Sequence, residues 1–242
     1  MAVDSTGNVY VGDDGNAMIR KVTPEGVVTT LASGINGIAG VAVDSAGNVY
    51  VADQGNNAIR KVTPAGVVRT LASGFNTPQG VAVDSAGDVY VADGGNFTIR
   101  KVTPAGVVTP LAGATGSPGS TDGTGSAARF DILGDVGVDI AGNVFVADAG
   151  NNTIRKVTPV GTNWVVTTLA GLGGLYGSVD ATGSAARFGG PASVAVDTNG
   201  NVYVADQVNH TIRKVTSAGL VTTLAGRAGS SGSANGGGGR AV

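Results

Sequence analysis

The stretch Val81-Ala-Val-Asp84, Val89-Tyr-Val-Ala-Asp93, Ile99-Arg-Lys-Val-Thr-Pro104 decides the fold, because near-copies of it recur along the chain. The other copies begin at Met1, Val41, Val136 and Val194. A unit of about 40 residues cannot bury its apolar face alone, so successive units must stack on one another. The 242-residue sequence therefore predicts one body of five stacked repeats.

Each repeat contains four short segments with the composition of β-strands. In the second repeat these are 41–44, 48–53, 58–63 and 67–72, which are rich in β-branched residues and separated by turn residues. No segment shows a sustained helical period, since turn signals arrive too often. Alternate residues of the second segment point to opposite faces of the sheet, and both sets are largely apolar. Both faces of the sheet must therefore be buried. Sheets stacked about a common axis provide that cover, as in a β-propeller.

The run Gly80-Val-Ala-Val-Asp84, Val89-Tyr-Val-Ala-Asp93, Asn96, Ile99-Arg-Lys-Val-Thr-Pro104 resembles the NHL repeat, and so does the insert Asp122 to Phe130. The resemblance covers all five units. It implies a propeller whose first strands line the axis and whose fourth strands lie outermost. NHL propellers commonly have six blades, whereas five units are present here.

The sequence thus predicts an all-β chain, a β-propeller of four-stranded antiparallel blades with five blades. Closure of these five into a ring is preferred; the alternative is an incomplete six-blade-type ring completed by oligomerisation. A closed ring predicts a monomer and an open one a homo-oligomer. One propeller domain is predicted over 1–242, with repeat units 1–40, 41–80, 81–135, 136–193 and 194–242. Similar inserts occupy 119–130 and 177–188, and 229–242 is a degenerate version of them.

Composition excludes several functional classes. The net charge is −2 and no basic stripe is present, so no nucleic-acid partner is expected. The chain has no cysteine and one histidine, so neither a thiolate nucleophile nor a multi-histidine zinc site can be assembled. Nothing in the sequence indicates a cofactor. No signal peptide or membrane span is evident, and a soluble protein is expected, either cytoplasmic or mature secreted, with the compartment left open.

One set of repeated aspartates is followed by arginines at a regular spacing. Each follows the second strand and precedes an arginine by about seven residues, as Asp53 precedes Arg60. The structural interpretation is a hydrogen-bonded ion pair that fixes the second turn, and the functional one is a ring of carboxylates binding a cation. Because every aspartate has its own arginine, we expect the ion pair.

Another set of aspartates ends the first strands, where five carboxylates could face one mouth of the axial channel. Capping of the adjacent turn is the preferred role, and a cation site is the alternative. No metal is therefore assigned, but the weak axial candidates are Asp44, Asp84, Asp139 and Asp197, with Asp4 as the fifth carboxylate.

Catalysis is not expected from the sequence. His210, the single histidine, has no accompanying nucleophile motif, and Glu25 replaces an alanine of the other repeats in a turn. The unrepeated acids show no partner in the sequence: Asp122, Asp131, Asp135 and Asp180. The prediction is accordingly a non-enzyme.

The remaining hypothesis is binding at a rim. Second turns and the exits of the fourth strands emerge at one end of each blade, and loops on a rigid scaffold carry recognition. The predicted rim residues are Gln54, Asn57, Phe97, Arg129, Asn152, Tyr176, Arg187, Gln207 and His210. The function predicted is a non-catalytic scaffold that binds a protein, peptide or glycan. The alternative is a purely structural, engineered or recently amplified array, and the inserts could simply fill gaps between blades.

Overall fold

The chain folds into five four-stranded antiparallel sheets arranged as the blades of a β-propeller, as the sequence predicts. The computed structural model describes residues 1–233; residues 234–242, which end the fifth predicted repeat and its degenerate insert, lie outside the described residues. Within 1–233 no helix is long and apolar enough to cross a membrane.

Each blade is a meander in which every strand pairs with its sequence neighbour. Blades 1 and 2 consist of β1 (Ala2–Val3), β2 (Val9–Asp13), β3 (Met18–Val22), β4 (Val28–Ser33), β5 (Ile38–Val43), β6 (Val49–Asp53), β7 (Ala58–Val62) and β8 (Val68–Ser73). Blade 3 consists of β9 (Pro78–Val83), β10 (Val89–Asp93), β11 (Thr98–Val102) and β12 (Val108–Gly113). Blade 4 consists of β14 (Leu133–Val138), β15 (Val144–Asp148), β16 (Thr153–Val160) and β17 (Asn163–Ala170), with β13 (Gly123–Thr124) added outside β17. Blade 5 consists of β18 (Pro191–Val196), β19 (Val202–Asp206), β20 (Thr211–Val215) and β21 (Val221–Gly226).

Two tight turns set the register within a blade. In blade 2 the first hairpin places Gly47 at φ +79°, a conformation that favours glycine. The second turn is a short 3-10 segment, Gln54–Asn56, that ends at Asn57 in the left-handed region. The resulting register pairs Val51 with Arg60 and Asp53 with Ala58. An aspartate thus ends each second strand close to the arginine of the third strand.

The core consists of four interfaces between consecutive blades, each built from the same parts. The blade that comes first in sequence supplies an isoleucine flanked by two small residues, which we call its trailing face. The following blade supplies three valines, its leading face. A single apolar residue of the linker, the plug residue, fills the space between the two faces: Ile35, Phe75, Phe130 and Phe188 are the plug residues. Both phenylalanines of the inserts are fully buried, so these segments do fill gaps between blades.

Blades 5 and 1 do not pack against each other as the other neighbouring blades do, as far as residues 1–233 show. Ile212 on the trailing face of blade 5 is 43% exposed, whereas its counterpart Ile154 in blade 4 is fully buried. On the leading face of blade 1, Val9, Val11 and Val22 are only partly buried. The five predicted blades are present, but the predicted closure through contact of blades 5 and 1 is absent from this part of the chain.

Candidate functional site

The predicted aspartate–arginine pairs are confirmed in all five blades. The carboxylate that ends the second strand accepts a hydrogen bond from the third-strand arginine at 2.6–3.2 Å. Burial of the pair increases along the chain: 26% of the Asp13 side chain and 34% of the Arg20 side chain are exposed, whereas Asp148 and Arg155 are fully buried. Burial raises the pKa of Asp148 to about 6, although Asn151 and Arg155 hydrogen-bond its carboxylate.

Two of the unrepeated acids have partners that the sequence did not reveal. Asp122 of the first insert accepts a hydrogen bond from Arg155 Nη2 at 2.8 Å, and Asp180 of the second insert accepts one from Arg213 Nη2 at 2.6 Å. Each insert acid also accepts a hydrogen bond from a backbone N–H of an outer strand. The N–H of Thr168, for example, donates to Asp122. The expectation that these acids lack partners was therefore wrong, because the inserts fold back over the following blade.

Several predicted rim residues are engaged in fixing the linkers. Asn57 accepts the N–H of Thr77 through its side-chain oxygen at 2.8 Å, and Asn152 accepts that of Gly190 at 2.9 Å. Arg129 and Arg187 direct Nη1 at carbonyl oxygens of their own inserts. These four side chains bind neighbouring segments of the chain.

The other five rim residues are exposed at least in part. Phe97 and His210 occupy the left-handed end of their second turns, while Gln54 and Gln207 begin such turns. Tyr176 is largely exposed on the second insert. Of the whole predicted rim, Gln207 alone lines the central cavity, and His210 lies beside the trailing face of blade 5.

The axial aspartates sit in their own turns. Asp44 accepts the N–H groups of Ala46 and Asn48, the side-chain amide of Asn48 and the hydroxyl of Tyr50, at 2.8–3.1 Å. Burial opposes ionisation of Asp44, but these hydrogen bonds outweigh it and lower its pKa. Burial and the Asp44 carboxylate raise the pKa of Tyr50 to about 12. Asp84, Asp139 and Asp197 make the equivalent turn contacts. No group of three or more metal-ligating side chains occurs within the described range 1–233.

A central cavity of about 600 Å³ lies where the first strands converge on the axis. Its wall is formed largely by small residues at the start of these strands, such as Ala39, Gly40 and Gly80. Four polar residues interrupt that wall: Gln79, Asp135, Ser193 and Gln207. Gln79 takes the position of Ala39, and Asp135 and Ser193 take that of Gly40. The blades therefore diverge in chemistry at the axis, although their framework is repeated.

Asp135 connects blades 4 and 5 at this cavity. Its Oδ2 accepts hydrogen bonds from Ser193 Oγ at 2.6 Å and from the N–H of Val194 at 3.3 Å, and its Oδ1 accepts the N–H of Val136 at 2.9 Å. Burial raises the pKa of the Asp135 carboxyl above its ordinary value despite these donors. A carboxyl, a hydroxyl and a carboxamide thus line one cavity, which suits hydrogen bonding to a polar ligand.

This group was not among the predicted site residues, although the repeats carry a signal for it. Gln79, Asp135 and Ser193 occupy positions where the other repeats carry alanine or glycine, directly before the repeated Val-x-Val-Asp. Aligning the repeats over these positions would have marked them as exceptions. Asp135 had instead been assigned to an insert, without a partner, and its hydrogen bonds to Ser193 and Val194 correct that interpretation.

The NHL repeat family model matches the chain at residues 36–62, 75–102 and 188–215. A search of the curated proteins by sequence found no match. Solved structures with the same fold include virginiamycin B lyase from Staphylococcus aureus, at 16% identity and TM-score 0.66, covering 91% of this chain and 67% of that one. An auxiliary nutrient binding protein from Bacteroides ovatus matches at 22% identity and TM-score 0.72, covering 90% and 54%.

A gluconolactonase from Xanthomonas campestris also matches, at 14% identity and TM-score 0.69, covering 90% of this chain and 72% of that one. This chain therefore spans roughly half to three quarters of the length of these three structures. The fold is thus shared by binding proteins and by enzymes. The prediction of a non-enzyme was wrong to exclude catalysis, because a lyase and a gluconolactonase have the same propeller fold. The chain is therefore a five-bladed β-propeller, and three of its blades match the NHL repeat family model.

Proposed function

We propose that the chain binds a small, hydroxyl-rich ligand of the glycan type in its central cavity. The observation that carries the proposal is the placement of Gln79, Asp135 and Ser193 in a wall made largely of small and apolar residues. The cavity volume of about 600 Å³ falls in the range of small-molecule sites. Together the three side chains offer donors and acceptors, as recognition of neutral hydroxyl groups requires.

The axial cavity is favoured over the rim for a physical reason. The cavity is a concave volume of the size of small-molecule sites, whereas rim side chains such as Asn57 and Asn152 hold linkers in place. A protein or peptide partner on that surface and a purely structural array are the competing hypotheses. The likeness to an auxiliary nutrient binding protein supports binding of a small molecule, at the level of the fold.

The test is a calorimetric screen of mono- and oligosaccharides against the full chain and three variants. Gln79→Ala and Asp135→Asn should each weaken the affinity of a hit at least about fivefold, since a lost ligand hydrogen bond is worth about 1 kcal/mol or more. His210→Ala, on the rim outside the cavity, is the matched control and should leave affinity unchanged. Melting curves of all variants separate lost binding from lost folding. If affinity is retained in both cavity variants but lost in the rim variant, the site lies on the rim. If no saccharide in the screen binds, the glycan assignment is refuted.

Catalysis on the bound ligand is a second candidate, favoured by one feature of Asp135. A carboxyl with a raised pKa beside a hydroxyl, at the wall of a cavity, is the arrangement of a general acid or base. Its test is turnover of the ligands found in the screen, together with lactones of sugar acids. Asp135→Asn should abolish turnover while Ser193→Ala reduces it. If the parent chain binds a ligand but does not convert it, a catalytic role for Asp135 is excluded.

A further inference from the structure

We propose that the outer edge of blade 2, strand β8, binds an extended peptide segment of a partner protein through an aspartate of that segment. The inference is independent of the proposed ligand site, since β8 lies at the opposite end of its sheet from the axial strand β5. Blades 4 and 5 carry such a segment from their own inserts, and these inserts show which contacts it makes.

The outer edge of blade 4 shows the mode of binding. Strand β13 of the first insert runs antiparallel to β17 and adds a fifth strand to the blade. Oδ1 of Asp122 accepts hydrogen bonds from Nη2 of Arg155 at 2.8 Å and from the hydroxyl of Thr168 at 3.0 Å. Its Oδ2 accepts the N–H of Thr168 at 3.0 Å. Backbone pairing and one carboxylate thus hold the segment on the blade.

Blade 5 repeats this arrangement with the second insert. Asp180 accepts hydrogen bonds from Nη2 of Arg213 at 2.6 Å, and from the hydroxyl and the N–H of Thr223 at 3.0 and 2.9 Å. The two segments read Thr-Asp-Gly-Thr at 121–124 and Val-Asp-Ala-Thr at 179–182. Because they share only the aspartate and the threonine two positions later, the contacts that the two blades have in common depend on the carboxylate and the extended backbone.

Blade 2 has the same receiving groups without an insert on them. Arg60 stands opposite Thr70, as Arg155 stands opposite Thr168 in blade 4. The Arg60 guanidinium donates to Asp53 through Nε and to the Thr70 hydroxyl through Nη1, so its Nη2 has no partner among residues 1–233. Thr70 is exposed, whereas Thr168 is partly buried. Since the register is the same, the N–H of Thr70 faces outward from the edge of the sheet.

The outer edge of blade 2 also carries an additional positive charge. Arg69 occupies a position where each of the other four blades has threonine. Its side chain is exposed, and it stands opposite Lys61 in the register of β7 and β8. Blade 1 exposes Thr30 in the same way but lacks this second cation. Complementary charge steers a segment that carries a carboxylate toward β8.

Blade 3 shows how the same edge is closed to a further strand. Pro110 takes the position of Thr70 and has neither an N–H nor a hydroxyl to donate. Proline on an outer strand blocks pairing with another strand. Arg100 of this blade donates to the carbonyl oxygen of Gly74 at 2.8 Å. Blade 2 therefore keeps the donors that a carboxylate needs, and its neighbour has lost them.

The test titrates the full chain with a peptide of the sequence 119–126, acetylated and amidated at its ends. Addition of a strand to a sheet edge is an established mode of peptide recognition. Amide NMR shifts should appear in β8 around Thr70 and be absent from β12 of blade 3. The same peptide with Asp122→Asn should bind at least about tenfold more weakly, because hydrogen bonds to a charged group are the strong ones. Added salt should weaken binding of the parent peptide, since Arg69 is exposed.

Variants of the chain locate the site. Thr70→Pro copies the residue of blade 3, so the blade should stay folded while the shifts in β8 disappear. Arg69→Thr copies the residue of the other blades and should weaken binding by up to about fivefold, as for an exposed ion pair. Ser73→Ala, at an exposed position of the same strand, is the matched control and should leave affinity unchanged. Melting curves of the three variants separate lost binding from lost folding.

Three results would overturn the proposal. In the first, no shifts appear in β8 at millimolar peptide, whether the peptide binds nowhere or only replaces its own insert at β17. In the second, the aspartate and asparagine peptides bind equally well, so the carboxylate is not recognised. This comparison needs no variant of the chain and does not depend on the folding of Thr70→Pro. In the third, sedimentation shows a dimer of the parent chain that Thr70→Pro dissociates, and the occupant of β8 is then a second copy.

Discussion

At the scale of single residues, the same aspartate–arginine pair occurs in five environments. Asp13 and Arg20 in blade 1 are partly open to solvent, whereas Asp148 and Arg155 in blade 4 are enclosed and joined by Asp122 of the insert. Exposed pairs contribute little to stability because water screens them. Removing one partner of a buried pair leaves an uncompensated charge and costs far more. The environment, rather than the pair itself, therefore decides its importance.

We predict that Asp148→Ala destabilises the protein by about 3–5 kcal/mol, because Arg155 keeps a buried charge without its closest partner. Asp13→Ala, the matched change at an open pair, should cause a much smaller loss. Urea unfolding of both variants, with the parent chain alongside, measures the difference. Equal losses at the two sites would show that burial does not control the strength of the pair.

The turn aspartates give stability a pH dependence at the residue scale. Burial acts against ionisation of Asp44, but hydrogen bonds from Asn48 and Tyr50 lower its pKa below the ordinary value of 3.8. An acid with a lowered folded pKa stabilises the fold above its unfolded pKa, and this contribution is lost as the pH falls through the folded value.

We therefore predict that the melting temperature falls below about pH 4, and that it falls less steeply in Asp44→Asn, which no longer has this carboxylate to protonate. Melting curves between pH 7 and pH 2 make the comparison. Ser45→Ala, next to Asp44 in the same turn, serves as the control and should follow the parent chain. An identical pH profile for Asp44→Asn would contradict the assignment.

At the scale of elements, the linkers contribute buried side chains to the core. Each aromatic plug residue lies over the arginine of the blade that follows: the guanidinium carbon of Arg213 is 5.1 Å from the centroid of the Phe188 ring. The first insert also adds β13 to the outer edge of blade 4, which pairs an otherwise open strand. The inserts thus fill the interfaces between blades, and the first insert also covers the outer edge of its blade.

Phe188→Ala should destabilise the protein by about 3–5 kcal/mol, the range for truncating a fully buried aromatic side chain. Leu175→Ala in the same linker between blades 4 and 5 is the matched control. This side chain is about half exposed, so we expect a small effect. Thermal and urea unfolding report both values. If the two variants were equally stable, the plug role of Phe188 would be wrong.

At the scale of the whole molecule, stability should be graded from the middle to the two edges. Blades 2, 3 and 4 are covered on both faces, whereas blade 1 and blade 5 each have one open face. In repeat architectures each unit is stabilised by its own contacts and by its neighbours, so a unit with one neighbour opens more readily.

Hydrogen exchange should accordingly be fastest in β20 and β21 of blade 5 and slowest in the equivalent β16 and β17 of blade 4. The two blades share nearly the same third-strand sequence, Thr-Ile-Arg-Lys-Val, so intrinsic exchange rates are matched. Native-state exchange followed by mass spectrometry or NMR measures this gradient. Uniform protection across all five blades would indicate that the molecule unfolds as one unit.

The sequence alone was sufficient for much of the architecture. The period of the repeats, the turn residues and the apolar alternation each act over a few residues, so they determined five meanders of four strands. The pairing of Asp53 with Arg60 was also predictable, because the turn brings the two together within one blade. The exclusion of catalysis failed because it relied on known motifs, whereas the same fold carries enzymes.

What only the tertiary structure decided depends on contacts between distant segments. Asp135 and Ser193 are 58 positions apart, and only convergence of the blades on the axis brings them into contact at the central cavity. Likewise, Ile154 and Ile212 occupy identical local sequences, yet one is buried and the other exposed. A repeated phrase specifies the same blade each time it occurs. Only the packing of blades around the axis determines which copies are covered, because burial is a property of the neighbours.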